Sequence, residues 1–507
     1  MDLSTVLSRA QHGIDAPLVR VETHISNGLP AFNIVGLPAT AVRESKERVR
    51  SAIINSHFDW PDRRLTINLA PADLPKDGGR FDLPIALGIL AASGQLPVET
   101  LAGKEFIGEL ALSGALRPVA GTVSAAIAAS GAQRSLVLPA PNAANASLVP
   151  GANVLPTTQL LELSAFLHGR HEISPAETPA ASEGPDYPDL ADVRGQPLGK
   201  RALEIAAAGG HNLLFSGPPG TGKTMLASRM PGILPPLQQC ELLEILALRS
   251  AVDANLSPVA CARRPFRAPH HSASARALVG GGNNPRPGEI SLAHHGILFL
   301  DELPEFPRAV LEVLREPMES GQITVSRALQ QITYPARFQL VAAMNPCPCG
   351  FDGDPEKACR CTPDQVQRYR QRLSGPLLGR IDLLVNLPRL PASLLTAKHR
   401  AEESSAAVRE RVCAARATAL SRAGTVNSRL DDHQIRQYCP LGAEDQSLLE
   451  RAIDRLGMSV RAYHRVLRVA RTIADLADCE SIASPHLVEA LGYRQLPRDE
   501  VAENGLV

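Results

Sequence analysis

Leu213-Leu214-Phe215-Ser216-Gly217-Pro218-Pro219-Gly220-Thr221-Gly222-Lys223-Thr224 runs from an apolar strand into a glycine-rich turn, and Met225-Leu226-Ala227 opens a helical pattern behind it. Strand, loop and helix in that order spell a phosphate-binding loop. The glycines let the backbone close on phosphate oxygens with its N–H groups, Lys223 brings a positive charge to the β- and γ-phosphates, and the Thr224 hydroxyl is a ligand for Mg²⁺. A chance glycine-rich turn is the competing reading, but all the fixed positions are filled and both flanks are present. The segment predicts an α/β nucleotide-binding core, with ATP and Mg²⁺ as cofactors.

Working outward, Gly296-Ile-Leu-Phe-Leu300-Asp301-Glu302 is a second apolar strand, and it ends in two acids 78 residues after Lys223. Behind a phosphate loop, Asp301 is placed to hold Mg²⁺ through water and Glu302 to orient or deprotonate the attacking water. A third strand, Gln339 to Met344, ends at Asn345, whose amide can reach the same water or the γ-phosphate; a strand-end turn before Pro346 is the alternative.

Length and composition bound the rest. A chain of 507 residues exceeds one ordinary core and predicts two or three domains. Lys plus Arg and Asp plus Glu number 52 each, so affinity for a polyanion must come from local segregation of charge. Only seven of the basic residues are Lys. That bias fits bidentate phosphate contacts, and it fits an Ala- and Arg-rich coding bias equally well. The N-terminus lacks a secretory signal and no run approaches 18 apolar residues, so the expectation is a cytoplasmic protein with no membrane partner.

Residues 1–168 alternate strand-like and helical runs and predict a separate α/β domain. Residues 169–189, with Pro175, Pro179, Pro185 and Pro188, read as an exposed linker. The nucleotide domain occupies 190–390, and 391–507 are helical in pattern and read as a lid.

Three further groups carry candidate chemistry. From Ala254 through Gly288 there is no acid, while Arg263, Arg264, Arg267, Arg276 and Arg286 lie alongside His270 and His271. Gly280-Gly-Gly-Asn-Asn predicts a flexible tip, consistent with a pore loop that meets DNA phosphates without reading sequence. Arg327 and Arg337 mark a second basic hairpin between Ile323 and Phe338. A solvated loop or subunit contact competes for both. Cys347, Cys349, Cys359 and Cys361 can close around a structural Zn²⁺, against the alternative of free or redox-sensitive thiols.

These residues, with Asp192-Val-Arg-Gly-Gln196, Phe266-Arg-Ala-Pro-His-His271, Leu300-Asp-Glu-Leu-Pro-Glu305, Asn345-Pro-Cys-Pro-Cys-Gly350 and Arg372-Leu-Ser-Gly-Pro-Leu-Leu378, resemble the Mg-chelatase-like AAA+ ATPases of the ComM/YifB family over nearly the whole chain. The resemblance implies a ring, a hexamer in the best-known case, that drives DNA branch migration during natural transformation alongside recombination proteins. It marks Arg380 as the arginine finger, although Gly379 stands where the pattern has Asp, and Arg461 as the lid arginine that senses nucleotide. Arg465 and Arg468 share the helical face of Arg461, so a solvated basic face competes. The N-terminal region resembles the Lon protease (ribosomal S5 domain 2-like) fold through Leu74-Pro-Lys-Asp-Gly-Gly-Arg-Phe-Asp-Leu-Pro-Ile-Ala86. Arg80 occupies the serine position and Val123 lies near the lysine position, so peptide hydrolysis has neither nucleophile nor base. The protein-remodelling ATPase, like the Mg-chelatase motor subunit, is the rival expectation.

Overall fold

The structure is a computed structural model that describes residues 2–36, 40–76, 78–179, 187–256, 263–282, 285–327, 330–391, 402–456 and 458–494. In the N-terminal region β1 (Leu3–Arg9), β2 (Leu18–Ser26), β3 (Ala31–Val35) and β4 (Arg64–Ala70) form one sheet in the order β1-β2-β4-β3. The strands β5 (Lys104–Phe106), β8 (Ser135–Pro139) and β9 (Val154–Thr157) form a small parallel sheet, and β6 (Glu109–Leu110) and β7 (Leu116–Arg117) pair beside it. β2 alternates apolar-in and polar-out, so one face of its sheet is buried, and the wholly buried helix Asp82–Ala92 covers it.

Arg80, at the serine position of the Lon resemblance, is buried and donates to the carbonyls of Arg9 and Ala120, while Val123 is fully buried in the adjoining helix. The guanidinium therefore plugs this corner with backbone hydrogen bonds. The same region grips the nucleotide core. Gly121 N–H donates to Ser250 O, Gln11 to Ala251 O, Asn142 to Ala254 O and Asn145 to Leu256 O, all at the end of the helix Gln239–Ser250.

The segment read as an exposed linker is tacked down where it is described. Ile173 is buried, Ala176 N–H donates to Val154 O, and Thr178 donates to Ser147 O. One tether lands on Val154 at the start of the edge strand β9 and the other on Ser147, just past the helix Ala140–Ala146. Residues 180–186 of the linker lie outside the described residues.

The nucleotide core is a five-stranded sheet in the order β11-β14-β17-β10-β18, parallel throughout: β10 (Leu213–Ser216), β11 (Phe266–Arg267), β14 (Ile297–Leu300), β17 (Gln339–Met344) and β18 (Leu383–Asn386). Two hairpins insert between them, β12–β13 (Gly280–Gly281 with Arg286–Pro287) and β15–β16 (Gln322–Arg327 with Gln330–Pro335). Side chains alternate along each strand. Leu213, Phe215, Phe299, Val341, Ala343 and Val385 share a core with the helices Pro197–Gly209, Lys223–Ile233, Ser405–Ala423 and Val460–Leu476. Leu214, Leu298, Leu300, Ala342 and Leu384 face Leu278, Leu311, Ile323 and Tyr334 of the inserted elements. Both faces are covered, so the strands read as continuous apolar runs instead of alternating ones.

The last strand begins at Leu383, two residues later than the apolar run from Ile381 suggests. Asp382 is turned inward, its carboxylate accepting from Asn212 N–H, and β18 pairing starts only beyond it. The C-terminal helices therefore continue the sheet's own core. Residues 392–401 and 495–507 of this region lie outside the described residues.

Candidate active site

Because β14, β17 and β10 are parallel neighbours, the loops leaving their carboxyl ends converge, which is where ligands settle in open α/β sheets. Gly217, Pro218, Pro219, Gly220, Thr221 and Gly222 leave β10, Asp301 and Glu302 leave β14, and Asn345 leaves β17. Gly220 and Gly222 lie at φ 81° and 89°, backbone conformations that glycine adopts without a steric penalty. A Cβ at Gly217 would fall 2.4 Å from Leu387 O, so the loop can thread past β18 only as glycine.

Lys223 Nζ donates to Gly217 O at 2.7 Å, Pro218 O at 2.9 Å and Asn345 Oδ1 at 3.1 Å. Burial lowers the ammonium's pKa, while Asp301 and Glu302 pull it back upward. The Thr224 hydroxyl donates to Asp301 Oδ2 at 2.7 Å, and Asp301 Oδ1 accepts from Glu302 N–H at 2.9 Å. A hydroxyl and a carboxylate side by side, at the mouth of a loop of amides with a cation behind them, have the oxygen donors that a hard divalent ion would take. That ion, when bound, supplies charge neutralisation. Thr224 and Asp301 would hold it, Lys223 and the loop amides would hold the phosphates, and Glu302 would hold the water's proton.

One supporting residue carries no site role in the sequence reading. Gln196, quoted above only as part of a motif, is buried at φ 52° and donates from Nε2 to Thr221 O and Pro388 O, bracing the phosphate loop against the end of the sheet. Its left-handed backbone exists only in the folded chain, and neither charge nor period marks the residue in the sequence.

The four thiols come together beside this site. Sγ separations are 3.4 Å for Cys347–Cys349, 3.6 Å for Cys347–Cys359 and 3.5 Å for Cys349–Cys359, and Cys361 completes a group whose ligand atoms lie within 4.8 Å of one another. These spacings are too long for disulfides and close to the roughly 3.8 Å edge of a tetrahedron built on Zn–S bonds of about 2.3 Å. Burial alone would raise the Cys349 thiol, but backbone N–H groups of Arg360 and Phe351 outweigh it and bring it to about 6. Burial with the neighbouring thiols pushes Cys359 up to about 12. Such a group fits a closed metal site. Gly350, at φ 86°, packs the thiol loop onto the phosphate loop so closely that a Cβ would sit 2.7 Å from Pro219 Cδ.

A different triad, Glu244, His294 and His295, resembles a metal site only in composition. Glu244 Oε2 lies 2.7 Å from His294 Nε2 and 2.8 Å from His295 Nε2. His294 Nδ1 accepts the Arg337 N–H at 2.9 Å, so neutral His294 carries its proton on Nε2 and donates to Glu244, leaving no lone pair there for a metal. Burial, with His295 adding to it, pulls His294 down to about 4. The cluster is a clip between the helix Gln239–Ser250, which the N-terminal region grips, and the start of β14.

The predicted DNA-contacting arginines divide. Arg276, Arg286 and Arg337 are exposed. Arg267 is held by Glu289 through two 2.6 Å contacts, and Arg263 lies 4.6 Å over the Tyr187 ring. Arg264 is buried and donates to Pro235 O, Pro236 O, His295 O and Glu241, so in this arrangement it is an internal cross-brace with no face open to a phosphate. Charge content cannot reveal this, because a guanidinium satisfied by carbonyls looks the same in sequence as a free one. Arg327 closes β15, and its side chain lies outside the described residues, as do Asn283 and Asn284 at the tip. Part-buried Phe266 has one ring face stacked on Phe299, and Tyr334 is buried with its hydroxyl donating to Pro285 O, so the Tyr334 ring is closed to a base.

Arg380 pairs with Glu319 at 2.5 Å and donates to Pro376 O at 2.7 Å. Arg461 is exposed on the helix Val460–Leu476. Arg465 turns inward toward Asp382 at 3.6 Å and Arg468 donates to Leu430 O, so the three do not form one solvated face.

This is the core of an AAA+ ATPase. Three family models match: "Magnesium chelatase, subunit ChlI" over residues 189–395, "Subunit ChlI of Mg-chelatase" over 21–142 and "Magnesium chelatase, subunit ChlI C-terminal" over 402–494. The chain is 52% identical over 503 residues to competence protein ComM of Haemophilus influenzae and 53% identical over 500 residues to YifB of Escherichia coli, covering 98% of both chains in each case. It is 27% identical over 171 residues to the magnesium-chelatase 38 kDa subunit of Cereibacter sphaeroides, covering 30% of this chain and 51% of that one. The chain belongs to the ComM/YifB family of Mg-chelatase-like AAA+ proteins, for which ATP and Mg²⁺ are the implied ligands. Among the described residues no helix is long and apolar enough to cross a membrane.

Proposed function

We propose that this protein is a cytoplasmic motor that assembles into a hexameric ring and couples ATP hydrolysis to translocation on DNA and to branch migration, aiding the integration of incoming DNA by homologous recombination. The observation that carries the reading is the pairing of the Lys223–Asn345 and Thr224–Asp301 contacts at the phosphate loop with exposed Arg276 and Arg286 on an acid-free insert leaving the same sheet. The competence name of the Haemophilus relative supports the biological setting. Within a ring, Arg380 is released from Glu319 to reach a neighbour's γ-phosphate, Arg461 reports nucleotide from the lid, and a structural Zn²⁺ in the Cys347, Cys349, Cys359 and Cys361 group stiffens the loop under Asn345.

The test is ATP turnover of wild type beside Glu302→Gln, with no addition, single-stranded, duplex, forked or four-way DNA, or an unfolded protein. The reading expects stimulation by DNA, greatest with branched forms, and a Glu302→Gln rate lower by about 10² or more. Stimulation by the unfolded protein alone would move the assignment to a protein-remodelling ATPase, a reading that the magnesium-chelatase similarity favours.

A further inference from the structure

β11 and β14 run parallel with Arg267 opposite Leu298, so chain leaving both strands travels in the same direction. Four residues beyond each lie His271 and Glu302. The two side chains meet: His271 Nδ1 lies 3.3 Å from Glu302 Oε2. Glu302 needs such a contact. Its backbone is at φ 52°, an uncommon region for a residue with a side chain, its carboxylate is half-exposed, and it has three rotatable side-chain bonds that could carry it away from the phosphate loop.

The imidazole itself is held on its other sides. The Phe306 ring meets it edge-on with centroids 6.4 Å apart, and the His270 ring lies 4.1 Å away, with His270 Nδ1 2.8 Å from Ser272 Oγ. Phe306 is buried and follows the short turn that begins at Glu302, so one turn supplies both the carboxylate and the wall behind the ring. Downstream, the chain runs from His271 through the helix Ala275–Val279 to β12 and β13, carrying exposed Arg276 and Arg286.

We infer that His271 is a positioning residue for Glu302 and that it ties the catalytic carboxylate to the basic insert. The inference rests on the proposed role of Glu302 in activating water. The imidazole holds the carboxylate toward the nucleotide, and an anion engaged by Arg276 and Arg286 pulls on the same few residues that set the position of the ring. Contact at the insert is thereby felt as a change in turnover, with no change in how tightly nucleotide is held.

The experiment uses the full-length protein and measures kcat and KM for ATP, binding of a fluorescent ATP analogue, and thermal midpoint, for wild type, His271→Ala, His271→Asn and Glu302→Gln, each with and without four-way DNA. Asn places an amide nitrogen where Nδ1 stood. The expected result for His271→Ala is a kcat at least tenfold lower, with KM, analogue binding and midpoint close to wild type and DNA stimulation lost. His271→Asn should recover most of the rate. An unchanged or raised kcat in His271→Ala, a parallel loss of analogue binding, or His271→Asn no better than His271→Ala would overturn the inference. Wild-type turnover in Glu302→Gln would overturn both this inference and the assigned role of Glu302. If DNA fails to stimulate the wild type, the DNA-motor reading and the tie to the insert fall, while the positioning role is decided by the basal kcat of the two His271 variants.

Discussion

Arg80 and Lys223 both sit among backbone carbonyls, and they have opposite fates. Arg80 in the N-terminal region donates to Arg9 O and Ala120 O and is almost completely buried. Lys223 also donates to two carbonyls, Gly217 O and Pro218 O, but it remains part-exposed, shares the Asn345 amide, and looks across at Thr224 and Asp301. A cation enclosed by carbonyls is a peg that holds packing together. A cation with one side open to a cleft of amides and acids is a binding group, because its desolvation is offset only in part until an anion arrives.

The strongest way to break this contrast is to remove each cation. Lys223→Ala should abolish ATP turnover and weaken nucleotide binding by more than about tenfold, since both the charge and a phosphate contact go, while the thermal midpoint stays near wild type. Arg80→Ala should do the reverse, lowering the urea stability of the N-terminal region by about 2–4 kcal/mol through carbonyls left unpaired in a buried site, with kcat of the folded protein retained. Loss of turnover in the folded Arg80→Ala protein would refute the division into peg and binding group.

Arg380→Ala should come next in effect. It should bind the ATP analogue normally and hydrolyse at least tenfold more slowly, because an arginine finger acts on charge that develops in the transition state. Hydrolysis at the wild-type rate would return Arg380 to a simple partner of Glu319.

The thiol group sharpens the comparison, since its loop abuts the open site through Gly350 and Pro219. Protein purified without chelator should carry about one equivalent of zinc per chain, as a closed Cys₄ site requires, and Cys349→Ser should lose it together with several degrees of thermal midpoint. Zinc below about a tenth of an equivalent in the wild type would leave the four thiols without a metal role.

The smallest effect is a pH dependence at the clip between the two regions. His294 is held at about 4 in the folded protein against 6.5 in the free side chain. Between those values the unfolded chain binds more protons, so stability is complete above about pH 6.5 and falls as pH drops toward 4, by at most about 3 kcal/mol. Glu244 adds to the loss at the acid end. Burial alone would raise its pKa, but hydrogen bonds from His294 and His295 outweigh this and lower it. Urea midpoints of wild type and His294→Gln from pH 7 to 4.5 should converge or cross as pH falls; parallel curves would show that His294 does not report the clip.

By itself the sequence determined the α/β nucleotide core, its strands at Leu213–Ser216, Ile297–Leu300 and Gln339–Met344, and the grouping of Lys223, Thr224, Asp301 and Asn345, because these depend on local apolar runs, glycine and strand-end polar residues. It could not decide which arginines are free, that Gln196 braces the phosphate loop, or that His271 reaches Glu302. Those outcomes depend on which carbonyls, carboxylates and rings distant segments bring alongside a side chain. The parallel registers of β11, β14, β17 and β10 supply that information, and it exists only once the sheet has formed.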